Sequence, residues 1–193
     1  MNLPNKLTVL RIILIPIFIL ILVLPVSLGS VSFLGSTMSV NNLLGAIIFA
    51  VATLTDFLDG QIARRDHLVT NFGKFADPLA DKMIVMSAFI ILVSFGKVPA
   101  WVAAIIVCRE LAVTGLRLIA VQTDGEVIAA AWPGKIKTAS QMFAILFLLT
   151  NNFLFSMINV PIGEILLYIC LFFTVYSGVE YFIKSRDIFK NSI

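Results

Sequence analysis

Charged residues are scarce in this chain of 193 amino acids. They make up 13% of the sequence, whereas a soluble globular domain contains about 25%. Hydrophobic residues reach 60% and the mean hydropathy is +1.03, which excludes a disordered chain, a nucleic-acid-binding arm and an ordinary cytosolic domain. Because a soluble protein of this size cannot hide so much apolar surface from water, the sequence predicts a protein embedded in a lipid bilayer.

Cysteine and histidine are also rare, with two cysteines and one histidine. Cys108 and Cys170 lie in apolar stretches, where they act as small hydrophobic residues, and His67 lies in a polar connection. This composition excludes a disulfide framework and contains no Cys/His pattern typical of zinc. No polar stretch is long enough to fold separately, so we expect one membrane domain over residues 1–193.

Long apolar runs are what the chain has in abundance. A membrane-spanning helix needs about 20 largely apolar residues, and the length of these runs favours helices over buried strands. We therefore predict an all-α, polytopic membrane protein with six transmembrane helices and a short N-terminal interfacial segment. The predicted spans are Leu7–Leu28, Val40–Ala63, Pro78–Phe95, Val98–Val121, Ile136–Leu154 and Pro161–Ile183.

Basic residues fall mainly on one side of these spans, which is the pattern of the cytosolic face of a membrane protein. Only Lys97 lies in a connection on the opposite side. We therefore expect a multi-pass protein of the cell membrane, with both termini and the active site facing the cytosol. The basic residues of the predicted cytosolic side are Lys6, Arg11, Arg64, Arg65, Lys74, Lys135, Lys137, Lys184, Arg186 and Lys190. An alternative, a signal peptide cleaved near Ser27–Ser30, leaves five spans and places the basic C-terminus on the wrong side.

Four aspartates interrupt the apolar pattern where ionisable side chains are costly and usually functional. Asp56 and Asp59 end the second predicted span, and Asp77 and Asp81 open the third. Each pair shares one helix face at 3.6 residues per turn. The short connection between the two spans allows both pairs to face each other at one membrane depth.

Four carboxylates in one pocket repel one another unless protons or cations neutralise them. Oxygen ligands without histidine or cysteine are typical of Mg²⁺ or Mn²⁺, with Ca²⁺ as a further candidate. The sequence thus predicts a site for two divalent cations. The structural alternative is that the aspartates cap helices or pair with Arg64, Lys74 and Lys82.

The spacing of these aspartates resembles the signature of the CDP-alcohol phosphotransferase family. The stretch from Asp56 to Arg64 reads Asp-Phe-Leu-Asp-Gly-Gln-Ile-Ala-Arg, and it is followed by Gly73, Asp77 and Asp81. All eight residues that the signature fixes over 26 positions are present. The resemblance implies a one-step transfer from a CDP-linked donor to an alcohol, with release of CMP.

Residue roles follow from the resemblance. It implies that Asp56, Asp59, Asp77 and Asp81 hold the two cations and that Asp81 also accepts the proton of the attacking hydroxyl. Paired metal ions suit this chemistry, because they polarise a phosphoryl group and stabilise the departing oxygen. The residues implied for binding a CDP-diacylglycerol donor are Asn5, Thr8, Gly60, Ala63, Arg64, Thr70 and Gly73. For Lys6 and Arg11, in the same N-terminal segment, an interfacial anchor to anionic lipid is an equal alternative.

The acceptor is inferred from basic residues within or beside the later spans. Arg109 and Arg117 lie just over two turns apart, so they share a helix face, and Lys135 and Lys137 begin the fifth span. A bidentate arginine with a nearby lysine suits a phosphate group, which predicts glycerol 3-phosphate as acceptor. These stretches also resemble the bacterial phosphatidylglycerophosphate synthase branch of the family. The alternative for Arg109 is an ion pair with Glu110, Asp81 or another carboxylate.

Two other functions remain open at the level of sequence. The same chemistry with phosphatidylglycerol, inositol phosphate or serine as acceptor differs only in the acceptor pocket. A cation transporter lined by the carboxylates is the alternative from another class, but it does not explain the spacing of Gly60, Ala63 and Arg64. The resemblance further implies a homodimer surrounded by membrane lipid.

Overall fold

The computed structural model describes residues 3–33, 36–65, 71–122, 132–152 and 160–184. Over these residues the chain forms six helices and one two-stranded antiparallel ribbon. The elements are α1 (Leu3–Val23), β1 (Ser30–Phe33), β2 (Ser36–Ser39), α2 (Val40–Arg65), α3 (Asn71–Ser94), α4 (Ala100–Gln122), α5 (Trp132–Leu149) and α6 (Ile162–Lys184).

The ends of the helices follow local chemistry. Helix α1 stops at Val23 rather than at the predicted Leu28, because Pro25 lacks the N–H that a continuing helix requires. Helix α5 stops at Leu149, since Asn151 and Asn152 adopt φ angles of 55° and 54°. Asparagine tolerates this left-handed conformation better than most residues, and it ends helices in this way.

The ribbon corrects the prediction of a purely helical chain. No strand was predicted in the uncharged connection between the first two helices, but Ser30–Phe33 pairs with Ser36–Ser39. Val31 is exposed opposite Met38, which is buried. The apolar–polar alternation of the segment is weak, so its strands are stabilised by local pairing rather than by a pattern visible in the sequence.

One apolar cluster joins all six helices. It includes Phe18 of α1, Phe49 of α2, Phe89 of α3, Ile106 of α4 and Ile145 of α5, together with Leu167 and Cys170 of α6. Helix α1 packs on α2 and α3, α6 packs on α4 and α5, and contacts of α2 and α3 with α5 and of α3 with α4 link the two groups. The second half of α2 and the first half of α3 carry the aspartate motif, and these two helices pack against each other.

Two of the described helices are apolar enough over a sufficient length to cross a membrane. They are Asn5–Val23 and Ile162–Ile183, and Val40–Asp56 is a shorter apolar helix. The helices between them carry the charged residues of the site described below, which lowers their hydropathy. The fold therefore supports a helical membrane protein with two evident spans, and the six-span arrangement stays a prediction.

Candidate active site

Helices α1 and α2 are joined through a buried arginine. Arg11 is fully buried, and its guanidinium NH1 lies 3.1 Å from Oδ1 of Asp56. Its Nε donates a hydrogen bond of 3.3 Å to the carbonyl oxygen of Ala52, one turn before Asp56. One side chain of α1 thus contacts two successive turns of α2, and it fixes the carboxylate that begins the aspartate motif.

Asp81 brings the second half of the motif close to the first. Its carboxyl lies within electrostatic range of Asp56 and Arg11, and also of Lys82 and Glu110. Helices α2 and α3 pack against each other, so carboxylates of the two motif halves share one region. The charge of Asp56 acts on the Asp81 carboxyl, and a shared site for all four aspartates stays a prediction.

Arg109, Glu110 and Lys137 form a largely buried charged cluster on α4 and α5. Oε1 of Glu110 accepts hydrogen bonds from the ammonium of Lys137 and, at 3.1 Å, from NH1 of Arg109. NH2 of Arg109 donates to Oγ of Ser177 on α6 at 2.9 Å. The side chain of Lys137 is only 6% exposed, and those of Arg109 and Glu110 are 16% and 14% exposed. Such buried charges require close partners, and three helices supply them.

A cavity of about 230 Å³ connects the cluster with the aspartate motif. Asp81 lines it from α3, the charged cluster lines it from α4 and α5, and α6 contributes Ser177. Apolar side chains such as Phe89 and Ile106 form the rest of the wall. Further polar side chains around it are Lys82, Thr114, Thr138, Gln141, Glu180 and Tyr181. Three carboxylates (Asp81, Glu110 and Glu180) and three cations (Lys82, Arg109 and Lys137) line this small cavity, and such a charged wall suits a compact polar molecule rather than an apolar one.

The predicted basic residues divide into two groups. Arg109 and Lys137 line the cavity. Lys135 is exposed instead, with its ammonium 5.1 Å from the centre of the Trp132 ring, and it is not among the residues that line this cavity. Two positions along a helix correspond to about 200° of rotation, so Lys135 and Lys137 point in different directions. The side chain of Arg117 lies outside the described part of the chain.

Several predicted donor and metal residues also fall outside the described part. Thr70 lies in a segment that the structure does not describe. Helices α2 and α3 carry the others, whose side chains are not described: Asp59, Gly60, Ala63, Arg64, Gly73 and Asp77. On α1, Thr8 is buried and Asn5 is half-buried, and neither lines the cavity.

Sequence reasoning overlooked the contribution of α6. Neither Ser177 nor Glu180 is among the predicted site residues, yet both line the cavity. A signal was available: Cys170, Thr174, Ser177 and Tyr181 recur every three or four residues and are all buried. Polar and small residues at this spacing in an apolar helix mark a face that packs inside a bundle.

Two of the four predicted metal ligands, Asp56 and Asp81, have side chains that the structure describes. Among the described side chains, no group of three or more histidine, cysteine, aspartate or glutamate residues is close enough to hold a metal ion. Asp56 and Asp81, however, are carboxylates of like charge within electrostatic range of each other. They supply only oxygen ligands, the kind that Mg²⁺ and Mn²⁺ prefer.

The fold and the site together define a helical membrane protein with a buried carboxylate and cation pocket. Residues 1–176 match the model of the CDP-alcohol phosphatidyltransferase family, and the chain belongs to this family. Its members generally depend on divalent cations.

Relatives agree with this assignment over nearly the whole chain. A protein of Bacillus subtilis named CDP-diacylglycerol–glycerol-3-phosphate 3-phosphatidyltransferase is 49% identical, covering 99% of this chain and 98% of the relative. A protein of the same name from Rickettsia typhi is 39% identical, covering 97% of this chain and 99% of the relative. A protein of Mycobacterium tuberculosis named probable phosphatidylglycerophosphate synthase is 38% identical, covering 97% of this chain and 83% of the relative.

Proposed function

We propose that this protein transfers the phosphatidyl group of CDP-diacylglycerol to glycerol 3-phosphate, giving phosphatidylglycerophosphate and CMP in phospholipid biosynthesis. The names and high coverage of the relatives support this function. The observation that carries it in the structure is one cavity lined both by Asp81 of the aspartate motif and by the buried cations Arg109 and Lys137. Such a cavity can hold an acceptor phosphate while its hydroxyl lies near a carboxylate.

The aspartates are assigned to the metal site. Asp56, Asp59, Asp77 and Asp81 would hold two divalent cations, Mg²⁺ or Mn²⁺. When bound, these ions neutralise the charge of the donor pyrophosphate and of the departing phosphate oxygen. Arg11 contributes by holding Asp56 in place from α1.

The donor is assigned to the N-terminal segment and the motif helices. Helix α1 packs on both α2 and α3, and its Arg11 contacts Asp56 of the motif, which supports a donor site shared between these helices. We assign donor binding to Asn5, Thr8, Gly60, Ala63, Arg64, Thr70 and Gly73. The diacyl chains would enter sideways from the bilayer, since a cavity of about 230 Å³ is too small to hold a complete diacyl lipid.

The acceptor phosphate is assigned to Arg109 and Lys137, with Arg117 further along α4. Lys135 is exposed at the start of α5, where its charge attracts the anionic acceptor from solution. In the reaction, the primary hydroxyl oxygen of glycerol 3-phosphate forms a bond to the phosphorus on the diacylglycerol side. The bond from this phosphorus to the oxygen of CMP breaks, CMP leaves with the electron pair, and Asp81 accepts the hydroxyl proton.

The setting is a single membrane domain, 1–193, with six spans and a cytosolic active site. Every described helix exposes large apolar side chains, while Arg11 and Lys137 are buried. This arrangement, apolar outside and polar inside, is typical of a protein surrounded by lipid. A homodimer in the cell membrane is part of the proposal.

Purified protein in detergent, supplied with Mg²⁺ or Mn²⁺ and CDP-diacylglycerol, tests the proposed acceptor. We expect CMP release with glycerol 3-phosphate and little with phosphatidylglycerol, inositol phosphate or serine. Release with inositol phosphate but not with glycerol 3-phosphate would overturn the acceptor while keeping the reaction class. Metal flux through liposomes without CMP formation would overturn both.

A further inference from the structure

Glu110 occupies the position that an acceptor phosphate needs. Its Oε1 accepts hydrogen bonds from both Lys137 and Arg109, the two cations assigned to the acceptor. Arginine and lysine donors bind a carboxylate oxygen and a phosphate oxygen with the same hydrogen-bond geometry. With Glu110 in place, NH1 of Arg109 and the ammonium of Lys137 already have an anionic partner, whereas the buried Nε of Arg109 has no hydrogen-bond partner among the described residues.

Burial explains why an internal anion is required. Without Glu110, folding would remove the positive charges of Lys137 and Arg109 from water without this anionic partner. Unpaired buried charges destabilise a fold strongly. The empty cavity therefore needs a counter-anion. A bound phosphate would provide the same neutralisation, and Glu110 would then add unfavourable negative charge beside it.

Once a phosphate has displaced the Glu110 carboxylate, another cation of the cavity is available to it. This cation is Lys82, the residue after Asp81 on α3. It lines the same cavity, and its positive charge acts on the Glu110 carboxyl. Thr114, one turn along α4, also lines the cavity. Lys82 and Thr114 therefore lie on the same cavity wall as Glu110, where its carboxylate can turn toward them by a change of side-chain rotamer.

We propose that Glu110 is the internal counter-anion of the acceptor pocket: it neutralises Arg109 and Lys137 while the pocket is empty and yields them to a phosphate monoester. The assignment of that ester to the acceptor rests on the proposed function. Glu110 is a positioning residue that competes with the phosphate, so it sets the acceptor concentration at which the pocket fills. It also selects against neutral acceptors, which cannot displace it.

Thermal unfolding of the full-length protein in detergent tests this exchange. Glu110→Gln removes the competing charge, so the variant should unfold at a lower temperature than the wild type in phosphate-free buffer. Inorganic phosphate or glycerol 3-phosphate should raise its midpoint more than that of the wild type. The half-saturating concentration of either anion should fall about tenfold, within the usual range for coupled ligands at one protein. Glycerol, which lacks the phosphate, should leave both midpoints unchanged.

Glu110→Asp covers the case in which the glutamine variant does not fold. This change keeps the charge but shortens the side chain by one methylene, so its hold on the two cations weakens. The half-saturating concentration of phosphate should fall again, by less than tenfold. As a matched control, Glu164→Gln changes an exposed acid in the first turn of α6 and should leave the response to phosphate unchanged.

A merely structural role for Glu110 gives a different result. The variants would then unfold earlier, but phosphate would shift their midpoints as it shifts the wild type, or less, and this outcome would overturn the proposal. Wild-type CMP release is measured separately. Its absence with glycerol 3-phosphate would remove the proposed acceptor, whereas the anion exchange at Glu110 would still be read from unfolding with inorganic phosphate.

Discussion

Asp81 belongs both to the proposed metal site and to the wall of the proposed acceptor pocket. It belongs to the aspartate motif, and it lines the cavity that contains Arg109 and Lys137. A carboxylate in this position can bind a cation and also accept a proton from a hydroxyl in the cavity. The two roles are separable by experiment, because a substitution that removes the basic oxygen need not remove donor binding.

Asp81→Asn should lower turnover by about 10²–10⁴-fold, the usual contribution of a general base. CDP-diacylglycerol should still bind, since the other motif residues and the N-terminal segment remain. CMP release and binding of labelled donor to the solubilised protein measure the two effects. Glu164→Gln, an acid-to-amide change at the opposite end of the bundle, should leave turnover unchanged; near-normal turnover of Asp81→Asn would remove Asp81 as the base.

Lys97 is a second charged residue with an unusual environment, in the turn between α3 and α4. Its ammonium donates a hydrogen bond of 2.7 Å to the carbonyl oxygen of Leu148, near the end of α5. A cation at this position satisfies a carbonyl that the helix itself leaves free. Partial burial lowers the pKa of Lys97 from 10.5 to about 8.

This shift predicts a pH dependence of stability. Between pH 8 and 10.5 the unfolded chain keeps the proton of Lys97 and the folded chain loses it. The unfolded state then binds more protons, so the free energy of unfolding rises with pH across this window and is flat below it. The slope should be smaller than the about 1.4 kcal/mol per pH unit of a full proton, because Lys97 is partly exposed. Denaturation of the wild type and Lys97→Met from pH 7 to 10.5 measures the difference; parallel curves would contradict the assignment.

Residue type and spacing predicted more of the site than side-chain direction did. The motif predicted that Asp56 and Asp81 share one site, and in the fold the charge of Asp56 acts on the Asp81 carboxyl. Arg11 was predicted either as an interfacial anchor or as part of a donor-contacting segment, yet it is fully buried against Asp56. An apolar helix without a clear hydrophobic face does not indicate which side packs inward, so the depth of Arg11 was not predictable from α1 alone.

Among the structural elements, the connection between α1 and α2 depends on one side chain. Nδ2 of Asn41 donates to the carbonyl oxygens of Ile21 and Val26 at 2.9 and 2.8 Å, and its Oδ1 accepts from the N–H of Leu28 at 3.2 Å. Asn41 thus satisfies backbone groups at the end of α1 from the start of α2. The neighbouring ribbon extends the contact, because Nδ2 of Asn151 lies 3.5 Å from the carbonyl oxygen of Thr37.

Asn41→Ala should destabilise the protein by about 1–3 kcal/mol, the usual cost of leaving such partners unsatisfied. Turnover per folded molecule should stay unchanged, since the site lies at the other end of the helices. Thermal unfolding in detergent measures the first effect and CMP release the second. Asn42→Ala is the matched control next in sequence, and it should unfold close to the wild type. Equal midpoints for the two variants would contradict the role of Asn41.

The existence and order of the six helices followed from apolar length, whereas the ribbon and the exact helix ends did not. Ser30–Phe33 and Ser36–Ser39 are too short and too polar for a strand pattern. The early end of α5 depends on the left-handed backbone of Asn151 and Asn152, a conformation that asparagine tolerates but does not require. Contacts between distant parts of the chain determine local backbone conformations of this kind.

For the whole molecule, the distribution of polarity is the feature that matters. Large apolar side chains are exposed on each of the six described helices, for example Ile13, Leu54, Ile90, Leu111 and Phe143 on α1 to α5 and Phe172 on α6. The charged residues Arg11 and Lys137 face inward. Within the described part of the chain, α1 and α6 are the two evident spans by composition, because the helices between them carry the charged residues of the site. We therefore expect all six helices to cross the bilayer.

Single cysteines placed by substitution distinguish six spans from two. In a background without Cys108 and Cys170, Thr37→Cys lies in the exposed ribbon, Lys6→Cys near the N-terminus and Trp132→Cys at the start of α5. With six spans and cytosolic termini, a membrane-impermeant maleimide should label Thr37→Cys in intact cells and leave the other two unlabelled. All three should react after permeabilisation, which controls for reactivity. If only α1 and α6 crossed the membrane, Trp132→Cys would be on the same side as Thr37→Cys and would be labelled in intact cells, which would contradict the six-span arrangement.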